Sequence, residues 1–168
     1  LPSHPNITLE DVLVDFKAEG RTLMHMAASS GHSDIMKLIL DMASSNKQKG
    51  NSKNTTALLK RLVNVIDDRG FSPLMYATIA ECDQSMQLLL KHGANVGHQN
   101  KDGVTAVHFA ASDDSVARMS ILASYGANMT ILSSSGGNPL HWAASKGLTK
   151  ATQYLLDFDP IYSLQYNE

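Results

Sequence analysis

The chain has little from which a covalent or metallic framework could be made. A single cysteine, Cys82, among 168 residues excludes an intrachain disulfide and fits a reducing compartment, cytoplasmic or nuclear. Net charge is small: 14 basic and 16 acidic residues leave −2, too little to draw nucleic acid or an anionic membrane surface from a distance. No apolar run approaches the length of a membrane span, and no basic-then-apolar leader follows Leu1. The tripeptides starting at Asn6, Asn54 and Asn128 have the form of glycosylation acceptors, and in a chain outside the secretory route they are expected to stay unmodified. The apolar content of 43% is enough for one domain with a core.

The dominant feature is a period. Glycines at 20, 70, 103 and 136 and alanines at 27, 77, 110 and 143 both step by 50, 33 and 33, so the repeat is 33 residues with 17 extra in the first step. Thr22, Ser72, Thr105 and Asn138 are favourable helix N-caps, and Pro73 and Pro139 follow where a missing N–H costs nothing. Each unit is therefore predicted to begin a helix there. Gly31 and Gly147 suit the left-handed turn that ends such a helix. A second helix is predicted in each unit from apolar residues on one face: Ile35, Met36 and Ile39; Met86, Leu89 and Leu90; Met119 and Leu122; Ala151 and Leu155. Gly93-Ala94-Asn95 and Gly126-Ala127-Asn128 then supply turn chemistry before the next glycine.

The in-phase segments Gly20 to Ala28, Gly70 to Thr78, Gly103 to Ala111 and Gly136 to Ala144 resemble the ankyrin signature G-x-T-P-L-H-x-A-A. The resemblance implies an all-α solenoid of helix-turn-helix units with β-turn or hairpin fingers. It departs from the pattern at Met75, in the place of the motif histidine, at Leu23 and Ala106 in the place of proline, and at Glu81-Cys82 and Asp114-Ser115 in the place of Gly-His. The organisation expected is one domain over 1–168: a partial upstream unit or linker at 1–18, repeats at 19–43, 63–95, 96–128 and 129–160, an insertion at 44–62, and the start of a further linker at 161–168. The next repeat glycine would fall at 169, so a longer array is expected. Within the insertion, Ser44 to Asn54 reads as a polar flexible loop and Thr55 to Leu62 as a short helix carrying Leu58, Leu59 and Leu62. Between 41 and 62, five cations (Lys47, Lys49, Lys53, Lys60, Arg61) face one anion, Asp41, which leaves open a basic partner contact.

In the family, His25, His108 and His141 occupy the position whose imidazole bridges neighbouring units, so the resemblance gives them a structural role. His32, His92 and His98 lack clustered Cys, Asp or Glu at ligand spacing, and neither metal nor cofactor is expected. Cys82 has no patterned histidine partner, no phosphate loop or nucleophile elbow occurs, and Asp67-Asp68 and Asp113-Asp114 read as solvated turn acids, so no catalysis is expected. Met26, Tyr76, Phe109 and Trp142 form a further in-phase series, read as core between units, as are Met36, Met86 and Met119. The resemblance implies binding of a protein partner through a concave face of fingertips and first helices, by a chain expected to be monomeric. Position by position, that face takes Glu19, Arg21, Arg69, Phe71, Asp102 and Val104 from the fingers and Ile79, Ala80, Asp113 and Lys146 from the helices. Phe71, Ile79 and Ala80 form its apolar patch. The alternative function is a regulatory or docking segment of a larger enzyme, channel or transcriptional regulator.

Overall fold

The computed structural model describes residues 19–45 and 52–158. Among them are nine helices: α1 (Leu23–Ser29), α2 (Ser33–Ser45), α3 (Ser52–Asn64), α4 (Pro73–Ile79), α5 (Asp83–Lys91), α6 (Ala106–Ser112), α7 (Val116–Ser124), α8 (Pro139–Ser145) and α9 (Thr149–Phe158). The helices starting at 23, 73, 106 and 139 are each seven residues long, and each follows an extended residue: Thr22, Ser72, Thr105 or Asn138. The anticipated caps are formed in part by side-chain oxygens, as when Met75 N–H donates to Ser72 Oγ and His141 N–H to Asn138 Oδ1. No helix among the described residues is long and apolar enough to cross a membrane.

The first helices stack in one layer, α1 on α4, α4 on α6 and α6 on α8, while each second helix folds back on its own first helix. Small side chains permit this closeness. Ala28, Ala77, Ala110, Ala111 and Ala143 are wholly buried, so adjoining backbones approach to the thickness of a methyl group. Met36, Met86 and Met119, each fully buried at one position of the repeat, fill the space between the layers. Burying a side chain of this size is worth about 1.5–3 kcal/mol.

The turn between helices needs a left-handed residue. Gly31 (φ 67°) and Gly147 (φ 69°) supply it at no steric cost, whereas Glu81 (φ 56°) and Asp114 (φ 53°) adopt it at a cost of about 1 kcal/mol. Both acids have compensating contacts. Glu81 meets Arg118 at 3.3 Å, and Asp114 Oδ1 accepts from Ala151 N–H at 2.7 Å, capping α9.

The insertion differs from expectation. The helix α2 runs through Ser45 and α3 already begins at Ser52, so the flexible loop expected over Ser44 to Asn54 is largely helical at both ends; 46–51, with Lys47 and Lys49, lie outside the described residues. Leu58, Leu62 and Val63 of α3 are buried, and the helix packs on α2 and α4. Asn64 ties down its C-terminus, donating to Lys60 O (2.8 Å) and Gly93 O (3.0 Å) and accepting from Asn95 N–H (2.7 Å). The basic character of the segment did not prevent this, because Lys60 and Arg61 lie on the exposed side of the same helix.

Candidate partner-binding face

The fingers of Gly70, Gly103 and Gly136 are each built around one buried polar residue three positions before the glycine. Asp67 Oδ1 accepts the Arg69 and Phe71 amides (2.9 and 2.8 Å), and Asn100 Oδ1 accepts those of Asp102 and Val104 (3.0 and 2.9 Å). Ser133 closes the third such turn through its hydroxyl on Gly137 O (2.9 Å). Neighbouring fingers are joined by backbone bonds: Asp68 N–H to Glu19 O, Lys101 N–H to Arg69 O, and Ser134 N–H to Asp102 O. That contact is why glycine is required at two positions. A Cβ on Gly20 or Gly103, both at positive φ, would lie 2.5 Å from Asp68 N or 2.6 Å from Ser134 N.

Histidines connect the fingers to the helices. His25 Nε2 lies 3.0 Å from Phe71 O on the next finger, and His108 Nε2 lies 3.2 Å from Gly137 O. A carbonyl can only accept, so Nε2 carries the proton and Nδ1 is left as acceptor for the N–H of Thr22 or Thr105, at 3.2 Å in both units. Each ring is thus a neutral bridge between two units, and burial lowers both imidazole pKa values below the usual 6.5 despite the carbonyl bond that opposes the shift. His141 makes the same first contact, its Nδ1 accepting from Asn138 N–H at 3.4 Å, but is exposed. In the second unit Met75 occupies the position and is 1% exposed.

Aromatic rings run between the units. Phe71 packs against Tyr76 (5.4 Å) and Phe109 (5.7 Å), Phe109 against Trp142 (6.5 Å), and His25 and His108 meet Tyr76 and Trp142 edge-on (5.7 and 5.1 Å). Tyr76, Phe109 and Trp142 are accordingly buried or half-buried, whereas Met26, the first of that series, is 51% exposed. Asp67 is no solvated turn acid: it is buried, and its Oδ2 accepts from Tyr76 Oη at 2.6 Å. Burial alone would raise its pKa, but the hydrogen bonds from Tyr76 and the two amides outweigh it and hold the carboxyl below the usual range. Tyr76 Oη accepts in turn from Arg69 (3.1 Å), and the guanidinium groups of Arg21 and Arg69 lie 5.0 and 4.7 Å from the Tyr76 and Phe71 ring centres.

Of the residues assigned to the face from the motif, Glu19, Arg69, Ile79, Asp102, Asp113 and Lys146 are exposed, while Arg21, Phe71 and Ala80 are half-buried. Val104 is the correction. At 6% exposure its side chain is packed inward, because the turn closed by Asn100 folds the residue after the glycine under the finger. Asp113 is committed locally, 3.5 Å from the buried Arg118, and burial raises its pKa against the pull of that cation. Lys146 Nζ reaches Ser112 O at 3.4 Å. Arg118 itself went unnoticed in the sequence: it is buried between Glu81 and Asp113, so one cation joins units two and three. The series Asp67, Asn100 and Ser133 is not read as one in the sequence either, where Asp67 looks like a solvated acid, although the spacing of 33 and the distance from the glycine carried the signal. Among the described residues no group of three or more His, Cys, Asp or Glu is placed to hold a metal ion. The face carries exposed charges on the fingers and one exposed apolar side chain, Ile79, among the residues assigned on the helices.

The pattern of ankyrin repeats (three copies) matches residues 3–100 and 80–163. The chain is 28% identical over 107 residues to a putative ankyrin repeat protein, L371, of Acanthamoeba polyphaga mimivirus, covering 64% of this chain and 12% of that protein. It is 34% identical over 98 residues to transcription factor MBP1 of Kluyveromyces lactis (58% of this chain, 13% of the relative). It is 27% identical over 86 residues to E3 ubiquitin-protein ligase KEG of Arabidopsis thaliana (51% and 4%). The chain thus spans about an eighth or less of the length of these relatives.

Proposed function

The chain belongs to the ankyrin repeat family, whose repeats are non-catalytic modules of protein–protein interaction, and from that premise we propose that it binds a partner protein through the concave face of its fingers and first helices. The observation that carries this reading is an apolar residue left open where its neighbours are closed. Ile79, at the end of α4, is 43% exposed, although the six residues before it in the same helix are all buried. Successive units also expose or half-expose charges, Arg21, Arg69, Asp102 and Lys146, that would supply the polar rim of such a surface. The fingers and helices are held by hydrogen bonds before any partner arrives, so little ordering entropy remains to oppose association. A second reading is favoured by the lengths of the relatives: the same face acts as the docking segment of a larger regulator or enzyme, as a protein of which this chain forms a small part.

Ile79→Glu combined with Arg69→Glu tests the face with Phe71 itself retained; Arg69→Glu also removes the guanidinium from Tyr76 Oη and from the face of the Phe71 ring. The wild-type and double-variant chains are used as bait in parallel in a cell extract, with circular dichroism confirming equal helix content. A protein retained by the wild type and lost with the variant identifies the partner and assigns it to this face. Equal retention by both removes Ile79 and Arg69 from the binding surface.

A further inference from the structure

The arginines of this chain are not all employed alike. Arg118 has a structural role: it is buried, with Glu81 at 3.3 Å and Asp113 at 3.5 Å. Arg21 and Arg69 converge instead on Tyr76, Arg21 over its ring at 5.0 Å and Arg69 on its hydroxyl at 3.1 Å. Among the described residues neither has a carboxylate within hydrogen-bond reach. Arg21 comes no closer than 4.0 Å to Asp67 Oδ2, and that carboxylate is already taken by the Tyr76 hydroxyl and by the amides of Arg69 and Phe71. Arg21 Nε is enclosed without a hydrogen-bond partner, although 34% of its side chain is open to solvent. Two guanidinium groups thus stand side by side with most of their donors unspent.

The other repeats show that this pair is no requirement of the fold. At the position of Arg21 the later units have Phe71, Val104 and Gly137, and at the position of Arg69 the first, third and fourth have Glu19, Asp102 and Ser135. The cations are also held before anything binds, because the rings of Tyr76 and Phe71 lie 5.0 and 4.7 Å from them and leave little side-chain freedom to lose. A guanidinium fixed in this way presents a planar fork of N–H donors, which is the shape a carboxylate fills. Against the single charge of Asp67 the two cations leave an excess of one, and exposed Glu19 and Asp68 on the same fingers oppose a more highly charged ligand. A carboxylate therefore suits the site better than a phosphate. Ile79, exposed, stands one turn beyond Tyr76 on α4. Resting on the concave-face reading, we propose that Arg21 and Arg69 receive a glutamate or aspartate side chain of the partner protein, beside the apolar contact that Ile79 offers.

The test is a titration of the 168-residue chain with a synthetic peptide of alternating glutamate and leucine, acetylated and amidated, followed through the arginine Nε–Hε resonances by NMR. The Arg21 and Arg69 signals are expected to shift together and saturate while that of Arg118 stays in place. The peptide with glutamine for glutamate is expected to bind at least about tenfold more weakly, as is the acidic peptide to Arg21→Gln with Arg69→Gln. Arg21→Lys with Arg69→Lys keeps both charges without the fork and should recover only a small part of the affinity. No shift up to the solubility of the peptide, equal affinity for the glutamine peptide, or full recovery by the lysine variant overturns the proposal. Tighter binding of a phosphoserine–leucine peptide overturns it too, reassigning the site to phosphate. Circular dichroism checks each fold, and if the double glutamine variant loses helix, Arg21→Gln is measured alone, since that side chain gives up no hydrogen bond among the described residues. All these variants keep Ile79. Failure of the titration therefore falls on the acid-binding pair alone, whereas equal retention of extract proteins on Ile79→Glu falls on the concave face.

Discussion

The junction between units two and three differs from the junctions on either side of it. The outer two are bridged by His25 and His108, each ring joining its own N-cap to a carbonyl on the next finger. The middle junction has Met75 in that place, its side chain buried without a hydrogen bond to give, and is joined by apolar contact, the stacking of Phe71 on Phe109 and the Arg118–Glu81 pair. An imidazole does reach the second finger, but from the approach loop of the third unit: His98 Nε2 lies 2.8 Å from Gly70 O and is half-buried. The middle finger glycine has more room, since a Cβ on Gly70 would come to 3.0 Å of Lys101 N, against 2.5 and 2.6 Å at Gly20 and Gly103, although the backbone bond between the fingers there, 3.2 Å, lies between the 3.4 and 2.9 Å of the outer junctions. The same stack is therefore held through buried motif histidines at two junctions and, at the third, through packing, the Arg118–Glu81 pair and His98. Family resemblance at the level of a motif does not imply equal chemistry in every repeat.

The largest effect that would sharpen this contrast is expected at the finger glycines. Gly103→Ala forces a left-handed alanine into the Ser134 amide and should cost about 3 kcal/mol in urea unfolding, while Gly70→Ala, with more room, should cost closer to about 2. Equal losses would mean that the two fingers yield alike despite the difference in room. Next, Met75→Ala should cost about 3 kcal/mol as a core truncation, whereas His108→Met, which preserves bulk but leaves the Thr105 amide and one Gly137 lone pair without their partner, should cost about 2. A negligible loss for His108→Met would show that the bridge contributes no more than its volume.

The third prediction uses pH. Burial depresses the His25 and His108 pKa values, so the folded chain binds protons less readily than the unfolded one. Stability is then full above the unfolded value of 6.5 and declines as pH falls below it through the lower folded values. Asp67, also depressed, adds a further loss only as pH drops below 3.8. Urea midpoints at pH 7.5 and 5.5 should differ in the wild type, and His25→Met with His108→Met should remove most of that difference. A drop of the same size in the double variant would place the acid sensitivity elsewhere. The smallest effect is expected from Met75→His, which offers a ring to Val104 O, the carbonyl equivalent to Phe71 O: a gain of about 1 kcal/mol at neutral pH, accompanied by new acid sensitivity.

Repeat length and helix starts were legible, because they depend on local chemistry: a cap oxygen, a proline at the first turn, a glycine where φ must be positive. The bridging role given to the motif histidines by resemblance agrees with the geometry at His25 and His108, and Met75 marked its own exception. Other features could not be read. Asp67-Asp68 looked like one solvated pair, yet Asp68 is exposed while Asp67 is enclosed by its own finger and by Tyr76. Val104 sat at a fingertip by register and turned out to be folded beneath it. The stretch around Ser52 to Asn54 looked like loop because its composition is polar, but the helix it opens is anchored further on by Leu58 and Leu62.

Patterns with the period of the repeat are written into neighbouring residues and are set by the backbone preferences of those residues, so the order of amino acids determined the all-α solenoid and its family. Burial is decided by whichever unit stacks next, tens of residues away. Only the tertiary packing could therefore decide that Asp67 and Arg118 are enclosed and that α3 joins the core.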